Sequence, residues 1–267
     1  MYIRPVHAEL NIPALHAFIR ENSLGLFTTA IKHPSLATIQ TTHIPWVLDT
    51  DDSINWDEVD SSNPPSGSLG VLRGHIARAN PQTKVLIDAA SHTPSTAGQP
   101  TAELSDEVLL LFNSPVHSYV SPRYYKETKP DTGKVVPTWN YSAVQVYGRC
   151  RIHHSGPQAA SFLQKQINDL TNHNEPRSGG SWKVSDAPDK YVDLLKKAIV
   201  GIEITIDRIE GRYKMSQEMK GGDWNGVVEG FKEMGGELGE AMAARVTEEG
   251  KKRDEKASQA QANAAKM

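Results

Sequence analysis

The chain has 267 residues, of which 38% are hydrophobic and 23% are charged, and its net charge is −3 at pH 7. This composition supports a packed core and is not typical of a disordered chain. The slightly negative charge argues against a broadly basic protein that wraps nucleic acid by neutralising its phosphates. The length fits one large domain, or one domain with additions.

The single cysteine and the lack of long apolar runs indicate the cellular compartment in which the protein is expected. One cysteine, Cys150, excludes an intramolecular disulfide and a zinc site made of several cysteines. It falls on a predicted strand, and we expect a small buried side chain there rather than a reactive thiol. The N-terminal stretch MYIRPVHAEL has no signal-peptide core, and no apolar run approaches the length of a membrane span. We therefore expect a cytoplasmic protein without a membrane segment.

Turn signals and alternating hydrophobicity predict an antiparallel sheet with flanking helices. Strand character falls between clusters of Gly, Pro, Asn and Asp, near residues 24–30, 37–48, 69–77, 107–113, 139–152 and 202–207. Helix starts are predicted at Asn11, Asn80, Ser155 and Ser185, each followed within three residues by a proline, and Gly201 is predicted to end the last helix. Many short strands with few helices are typical of a closed or partly closed antiparallel barrel, here an α+β fold that is mainly β.

Composition also suggests how the chain is divided. Residues 1–231 are predicted to form one domain, because the strand near 202–207 returns to the barrel after two helices. Two polar insertions, at residues 49–68 and 89–105, interrupt this domain and are rich in turn-forming residues. Residues 232–267 form a tail rich in Ala, Glu and Lys, which is predicted to be either helical or disordered.

The strongest local signal for ligand binding runs from Arg73 to Lys84. In a strand, Arg73, His75 and Ala77 point to one face. Asn80 then caps a helix that starts at a proline, and a helix N-terminus with free N–H groups favours an anion. Arg78 and Lys84 add positive charge, so this segment predicts a phosphate site. The alternative is an ordinary turn at Asn80 with Arg78 as a solvated side chain and His75 as a structural histidine.

Two aromatic segments are further candidates. Trp139 offers a flat surface, and the side chain of Asn140 can donate and accept hydrogen bonds at the edge of a heteroaromatic ring. An aromatic plug that closes the barrel explains the same residues equally well. The residues Tyr119, Tyr124 and Tyr125 form a second aromatic group, which can pack a subunit interface or contact a ligand.

The sequence contains none of the common catalytic signatures. There is no P-loop, no HExxH motif and no Gly-x-Ser-x-Gly elbow. His153 and His154 are predicted to be a surface pair, and no metal site is predicted. The catalytic residues, if the protein is an enzyme, are therefore left unassigned.

Six segments, taken together and in order, resemble the PaiB family of FMN-binding "negative transcriptional regulator" proteins. They span about residues 1–230 and read THIP (42–45), LRGHIARANP (72–81), YVSP (119–122), KVVPTWNY (134–141), WKVSD (182–186) and RIEGRYKMSQ (208–217). The two polar insertions and the tail depart from the family pattern but leave these segments intact.

The resemblance implies an FMN-binding split barrel related to pyridoxamine-phosphate oxidases and flavin reductases, usually a homodimer with FMN near the subunit interface. It also implies that the FMN phosphate sits where a barrel strand meets the following helix. That position coincides with the segment from Arg73 to Lys84, so the cofactor-binding candidates are Arg73, His75, Ala77, Arg78, Asn80, Lys84, Trp139 and Asn140.

Three functions remain open from the sequence. The first is a flavin-dependent redox protein, which includes an FMN-dependent oxidoreductase, in which the protein positions and tunes the flavin. The second is a transcriptional regulator that senses a ligand without turnover; DNA binding is implied by the family name alone, since the sequence shows no recognisable DNA-reading helix. The third is a haem-binding split barrel, which the ten histidines keep open.

Overall fold

A computed structural model of the protein describes residues 1–59, 64–65, 67–92, 102–219 and 221–264. The strands within these residues are β1 (Ala8–Glu9), β2 (Leu24–Ala30), β3 (Ile39–Pro45), β4 (Val47–Asp49), β5 (Val71–Ala77), β6 (Ala102–Asn113), β7 (Ser118–Val120), β8 (Thr138–His153) and β9 (Ile199–Lys214). The helices are α1 (Ile12–Glu21), α2 (Pro81–His92), α3 (Thr128–Asp131), α4 (Gly156–Asn174), α5 (Asp189–Lys197), α6 (Gly221–Met234) and α7 (Gly236–Ala264).

The strands form one antiparallel sheet, and its strand order is open, with β3 at one end and β4 at the other. Its order is β3-β2-β6-β8-β9-β5-β4, with β1 beside β9 and β7 beside β8. The two end strands, β3 and β4, are separated in the chain only by Trp46. The predicted strand at 37–48 breaks there because Trp46 donates its backbone N–H to Ser23 O at 2.9 Å. The mainly antiparallel split barrel is confirmed, and of the two predicted alternatives, closed or partly closed, the described ladder is not fully closed.

The chain divides into two compact units. The terminal unit lies within Met1–Glu9, Asn113–Ala143 and Gly211–Met267. The barrel unit comprises Leu10–Phe112 and Val144–Glu210, so it contains β2 to β6 and the helices α1, α2, α4 and α5. The strands β8 and β9 are each 16 residues long and contribute residues to both units.

The core of the barrel unit follows the alternation seen in the sequence. Fully buried side chains line successive strands, among them Phe27, Leu72, Leu110, Val146, Ile202 and Ile204. Helix α1 covers this core with Leu15 and Ile19, and it starts as predicted because Asn11 Oδ1 accepts from Ala14 N at 2.8 Å. Cys150 is buried on β8 as predicted, and desolvation raises the pKa of its thiol far above the ordinary value.

The terminal unit has a hydrophobic core of its own, built mainly from α6, α7 and residues 120–125. Helices α6 and α7 bring Phe231, Met242 and Val246 against Tyr124 and Tyr125. All described tail residues except Gly235 are helical, and α7 extends to Ala264. This helix is amphipathic over its first turns only, which explains why its packing was not apparent from its composition.

Several predicted boundaries need correction. Helix α2 continues to His92 and β6 begins at Ala102, so both enter the stretch that was predicted to be a polar insertion. The rest of that stretch lies outside the described residues. Helix α5 ends at Lys197, and Gly201 lies within β9 rather than at the helix end.

Candidate functional site

Arg73 lies on β5 and is bound by two carboxylates of the barrel unit. Its side chain is nearly buried, and Nη2 donates to Asp49 Oδ1 and to Asp169 Oδ2, each at 2.7 Å. Nε donates to the second oxygen of Asp49, and the bonding to Asp49 is the main reason why the pKa of the guanidinium is raised. Arg73 therefore links β4 to α4, and only its Nη1, which is buried, has no partner among the described residues.

His75, two residues further along the same face, contacts a buried glutamine of α4. The distance from His75 Nδ1 to Gln166 Oε1 is 2.7 Å, and Gln166 is fully buried. Gln166 Nε2 has no hydrogen-bond partner among the described residues. A polar contact therefore joins α4 to this face of the sheet.

His153 also packs against α4 and is not the surface residue that the sequence predicted. It is 8% exposed, and its ring stacks on Phe162 with a centroid distance of 3.9 Å and an interplanar angle of 7°. Its Nε2 lies 3.4 Å from Glu203, and the interaction with His153 lowers the pKa of that carboxyl. Gly201 makes this stacking possible, because a Cβ there would lie 2.5 Å from the Phe162 ring.

Arg78 closes the corner between β5 and α2 by binding the start of β9. Nε donates to Lys197 O at 3.0 Å, and Nη2 donates to His154 O at 2.8 Å and to Ile199 O at 3.2 Å. These bonds use three of the five N–H groups of the guanidinium. The two N–H groups of Nη1 make no hydrogen bond to the described residues, and the side chain is exposed, so its charge is still available to a ligand.

The start of α2 is capped from within the protein. Asn80 Oδ1 accepts from Gln82 N at 2.9 Å, and Asn80 O accepts from Thr83 N at 3.0 Å and from Lys84 N at 3.3 Å. Pro81 has no N–H. The amides that were expected to be free are thus already bonded, and what remains for an anion at this helix end is the dipole and the side chain of Lys84.

Lys84 is the cation in this segment with the fewest polar contacts. It is exposed on the first turn of α2, and its ammonium makes no hydrogen bond or ion pair with the described residues. Of the charged groups predicted to meet a phosphate, Arg78 and Lys84 therefore retain free donors at the surface. Arg73 does not.

A pocket of about 500 Å³ adjoins this face of β5 within the barrel unit. His75 and Ala77 form part of its wall, and α4, α5, the segment before α5 and the start of β9 form the rest. The lining is mainly apolar, with a few polar or aromatic side chains: Thr171, Trp182, Tyr191 and Lys196. Pockets of this size and character commonly bind small organic molecules.

Trp139 and Asn140 lie on β8 in the terminal unit. Trp139 is 47% exposed and its ring is near those of Tyr119 and His117, at centroid distances of 6.3 Å and 6.0 Å. Asn140 is fully buried, and its Oδ1 accepts from Ser216 Oγ at 3.1 Å. Asn140 Nδ2 has no partner among the described residues. Their assignment to the flavin stays a prediction.

The residues that hold the strand face in place were not among the candidates predicted from the sequence. Asp49, Gln166 and Asp169 are 24, 91 and 96 residues away from their partners on β5. One signal was present, because Gln166 falls on the buried face of α4 together with Ala159 and Leu163. A glutamine in an apolar stripe indicates a buried polar contact.

Metal-ligand clusters and membrane-spanning helices are both absent from the described residues. Within those ranges, no group of three or more His, Cys, Asp and Glu side chains is arranged to hold a metal ion. None of the helices in that part of the chain is both long and apolar enough to cross a bilayer.

Comparisons with known proteins place the chain among relatives of nearly the same length. An uncharacterized protein of Emericella nidulans is 50% identical over 261 residues, which cover 96% of this chain and all of that protein. The Bacillus subtilis protein named protease synthase and sporulation protein PAI 2 is 26% identical over 230 residues, covering 86% of this chain and 88% of that one. A conserved hypothetical protein of Mycobacterium tuberculosis has a solved structure that aligns with a TM-score of 0.46 at 10% identity, over 83% of this chain and 95% of that one.

The family comparison covers nearly all of the barrel unit. The model of the family described as a putative FMN-binding domain matches residues 1–208. This match includes β5, the corner at Arg78 and all residues that line the pocket. The match contains the first five of the six segments found in the sequence and reaches the first residue of the sixth, and it agrees with the likeness to the Bacillus protein. The chain therefore belongs to this PaiB-like family of FMN-binding proteins.

Proposed function

We propose that the barrel unit binds FMN and that the protein uses it as a flavin-dependent redox protein. The observation that carries this proposal is the pocket of about 500 Å³ beside His75 and Ala77, in a family of FMN-binding proteins; its wall also includes Ile199, whose carbonyl oxygen accepts from Arg78. The isoalloxazine ring would occupy the pocket, and the phosphate would lie toward Arg78 and Lys84.

The pocket fits the ring by size and by chemistry. Its walls include apolar side chains such as Ile167, Val192 and Leu195, which favour a flat aromatic ring over water. Trp182 and Tyr191 are 47% and 55% exposed and line the same pocket, so aromatic stacking on a bound ring is available there.

The corner at Arg78 fits the phosphate by charge. A phosphate monoester carries between one and two negative charges at neutral pH, and it accepts hydrogen bonds through three oxygens. The free Nη1 group of Arg78 and the ammonium of Lys84 are suitable donors, and each charge-assisted hydrogen bond contributes about 1.5–3 kcal/mol. Arg78 cannot swing away from this position without losing its bonds to three carbonyl oxygens.

When bound, FMN supplies the capacity to accept and to pass on electrons, which protein side chains lack. The residues of the barrel unit bind the flavin, orient it and exclude water from part of it. The nicotinamide cofactors NADH and NADPH are the electron donors to be tried first.

The absorption spectrum of the purified protein, with mass identification of the released ligand, tests this function. We expect flavin absorption and the mass of FMN, or binding of FMN when it is added to flavin-free protein. Consumption of NADH or NADPH by the FMN-loaded protein then supports a redox enzyme. Tight FMN binding without consumption favours the alternative of a flavin-sensing regulator. A haem spectrum, or failure to bind any flavin, would refute the proposal.

A further inference from the structure

The contact between His75 and Gln166 fixes which nitrogen of the imidazole carries the proton. Gln166 Oε1, at 2.7 Å from His75 Nδ1, is a carbonyl oxygen and can only accept. Nδ1 therefore carries the proton and donates. In the neutral imidazole, the other nitrogen, Nε2, is then left with a lone pair and is a hydrogen-bond acceptor.

Gln166 is held firmly in the position that this role requires. Its side chain is fully buried between α4 and the sheet, so it has little freedom to move away from His75. No acidic side chain bonds His75 in the described structure.

The free nitrogen is accessible from the pocket. His75 is part of the pocket wall and is only partly buried. Nε2 is not among the buried atoms that lack a partner, and it makes no hydrogen bond to the described residues. On the β5 side of the pocket, His75 Nε2 is thus a hydrogen-bond acceptor for a bound ligand. The rest of the pocket wall is mainly apolar.

An oxidised flavin ring offers one N–H group to such an acceptor. The isoalloxazine system carries carbonyl oxygens and ring nitrogens with lone pairs, and its single ring donor is N3–H. We propose that His75 Nε2 accepts the hydrogen bond of flavin N3–H, and that Gln166 positions His75 for this role. This makes His75 the residue that selects for a flavin ring with an unsubstituted N3. The inference rests on the proposed function.

Lumiflavin and 3-methyllumiflavin test the proposal, because both lack the phosphate and the ribityl chain and differ only at N3. We expect the wild-type protein to bind lumiflavin about five- to tenfold more tightly than its 3-methyl derivative, the effect of about one hydrogen bond. In His75→Phe, which keeps a flat ring but removes the acceptor, the two ligands should bind equally. Flavin fluorescence or calorimetry gives the affinities.

The state of His75 can also be measured without any ligand. In the flavin-free wild-type protein, ¹⁵N chemical shifts of the His75 ring should show the neutral tautomer protonated on Nδ1. In Gln166→Leu, which removes the carbonyl oxygen, this tautomer should lose its dominance, and the preference for lumiflavin should shrink. Observation of the tautomer protonated on Nε2 in the wild-type protein would overturn the assignment, even if a variant failed to fold.

The outcomes separate this inference from the proposed function. If the wild-type protein binds neither lumiflavin nor FMN, the proposed flavin pocket is wrong. If it binds lumiflavin and the 3-methyl derivative equally, flavin binding stands and the role of His75 is refuted. If His75→Phe still binds lumiflavin more tightly than the 3-methyl derivative, the role of His75 is also refuted. Another wall of the pocket must then exclude the methyl group.

Discussion

At the scale of single residues, Arg78 and Lys84 illustrate two different uses of positive charge at one corner. Arg78 bonds three carbonyl oxygens, so it holds the junction of β5, β8 and β9 as well as offering charge to a ligand. Lys84 makes no hydrogen bond or ion pair with the described residues and is free to bind. Replacing Lys84 therefore tests ligand binding, and replacing Arg78 tests binding and folding together.

Lys84→Ala should weaken FMN about tenfold or more, because loss of one charge-assisted hydrogen bond costs about 1.5–3 kcal/mol. Riboflavin, which lacks the phosphate, should bind the variant and the wild-type protein equally. Calorimetric titration measures both affinities. The matched control is Lys32→Ala, at a lysine of the same unit whose ammonium has no hydrogen bond or ion pair with the described residues. Unchanged FMN affinity in Lys84→Ala would mean that the Lys84 ammonium does not meet the phosphate.

Arg78→Ala should lower the affinity for both FMN and riboflavin, and it should also lower the melting temperature of the protein.

His16 predicts a dependence of stability on pH. It is 4% exposed and its Nε2 donates to Leu69 O at 2.9 Å; desolvation lowers the pKa of its imidazole. Because the folded-state pKa lies below the unfolded value of about 6.5, the unfolded state binds the proton more strongly. The contribution of His16 is therefore complete above about pH 6.5 and is lost as the pH falls below that value.

The comparison of His16→Gln with the wild-type protein measures this effect. Glutamine can donate to the same carbonyl but does not titrate. When the pH is lowered from 7.5 to 5.5, the melting temperature of the wild-type protein should fall further than that of the variant. These two pH values lie about one unit on either side of the ordinary histidine pKa. His7 and His154 also have lowered pKa values, but they contribute equally to both proteins. Equal losses would contradict the role of His16.

At the scale of elements, helix α6 is held close to its neighbour by two glycines one turn apart. A Cβ at Gly226 would lie 1.9 Å from Tyr124 O, and one at Gly230 would lie 2.1 Å from the Tyr124 ring. Both distances are far below van der Waals contact, so no larger residue fits without moving the helix. Through this glycine face, α6 packs against Tyr124 in the core of the terminal unit.

Gly230→Ala should therefore destabilise the protein, although alanine is the better helix former. The expected loss is about 1–3 kcal/mol, as for overpacked cores, and it should exceed the gain in helix propensity of about 1 kcal/mol. Urea denaturation gives the free energy of unfolding. The control is Glu229→Ala, whose side chain is exposed on the same helix turn and whose replacement should be nearly neutral. A more stable Gly230→Ala would show that Tyr124 and α6 can separate at little cost.

The elements show where sequence reasoning is sufficient and where it fails. Helix starts at Asn11 and Asn80 and strands such as β2 were predictable, because local caps and alternation determine them. Strand β9 was predicted at 202–207 but spans Ile199–Lys214, since polar side chains hide the alternation after Asp207. The engagement of Arg73 could not be predicted, because Asp49 and Asp169 approach it only through tertiary structure.

At the scale of the whole molecule, the exposed apolar side chains of the terminal unit predict self-association. Tyr119, Val136 and Trp139 are 48%, 74% and 47% exposed within one short segment. An aromatic cluster of this kind is typical of a protein–protein interface. The resemblance to the PaiB family implies a homodimer as well.

Light scattering during size exclusion should therefore give twice the chain mass of 29.4 kDa at micromolar concentration. Val136→Glu should shift the mass toward the monomer without unfolding the protein, because this side chain is mostly solvent-exposed. Lys129→Glu, an exposed position in the same part of the chain, is the control and should leave the dimer intact. A mass of one chain for the wild-type protein would contradict this prediction.

The terminal unit collects residues from the beginning, the middle and the end of the chain, and this has a consequence for synthesis on the ribosome. Val120, Tyr124 and Tyr125 emerge long before Phe231, Met242 and Val246, the residues that cover them. At about 5–20 residues per second, translation from residue 211 to Val246 takes roughly 2–7 s. During that time the barrel unit has all its residues while the apolar side chains of the middle segment remain uncovered. A nascent chain is therefore prone to aggregation during this late part of translation. A chain truncated before α6 would expose the same apolar surface permanently.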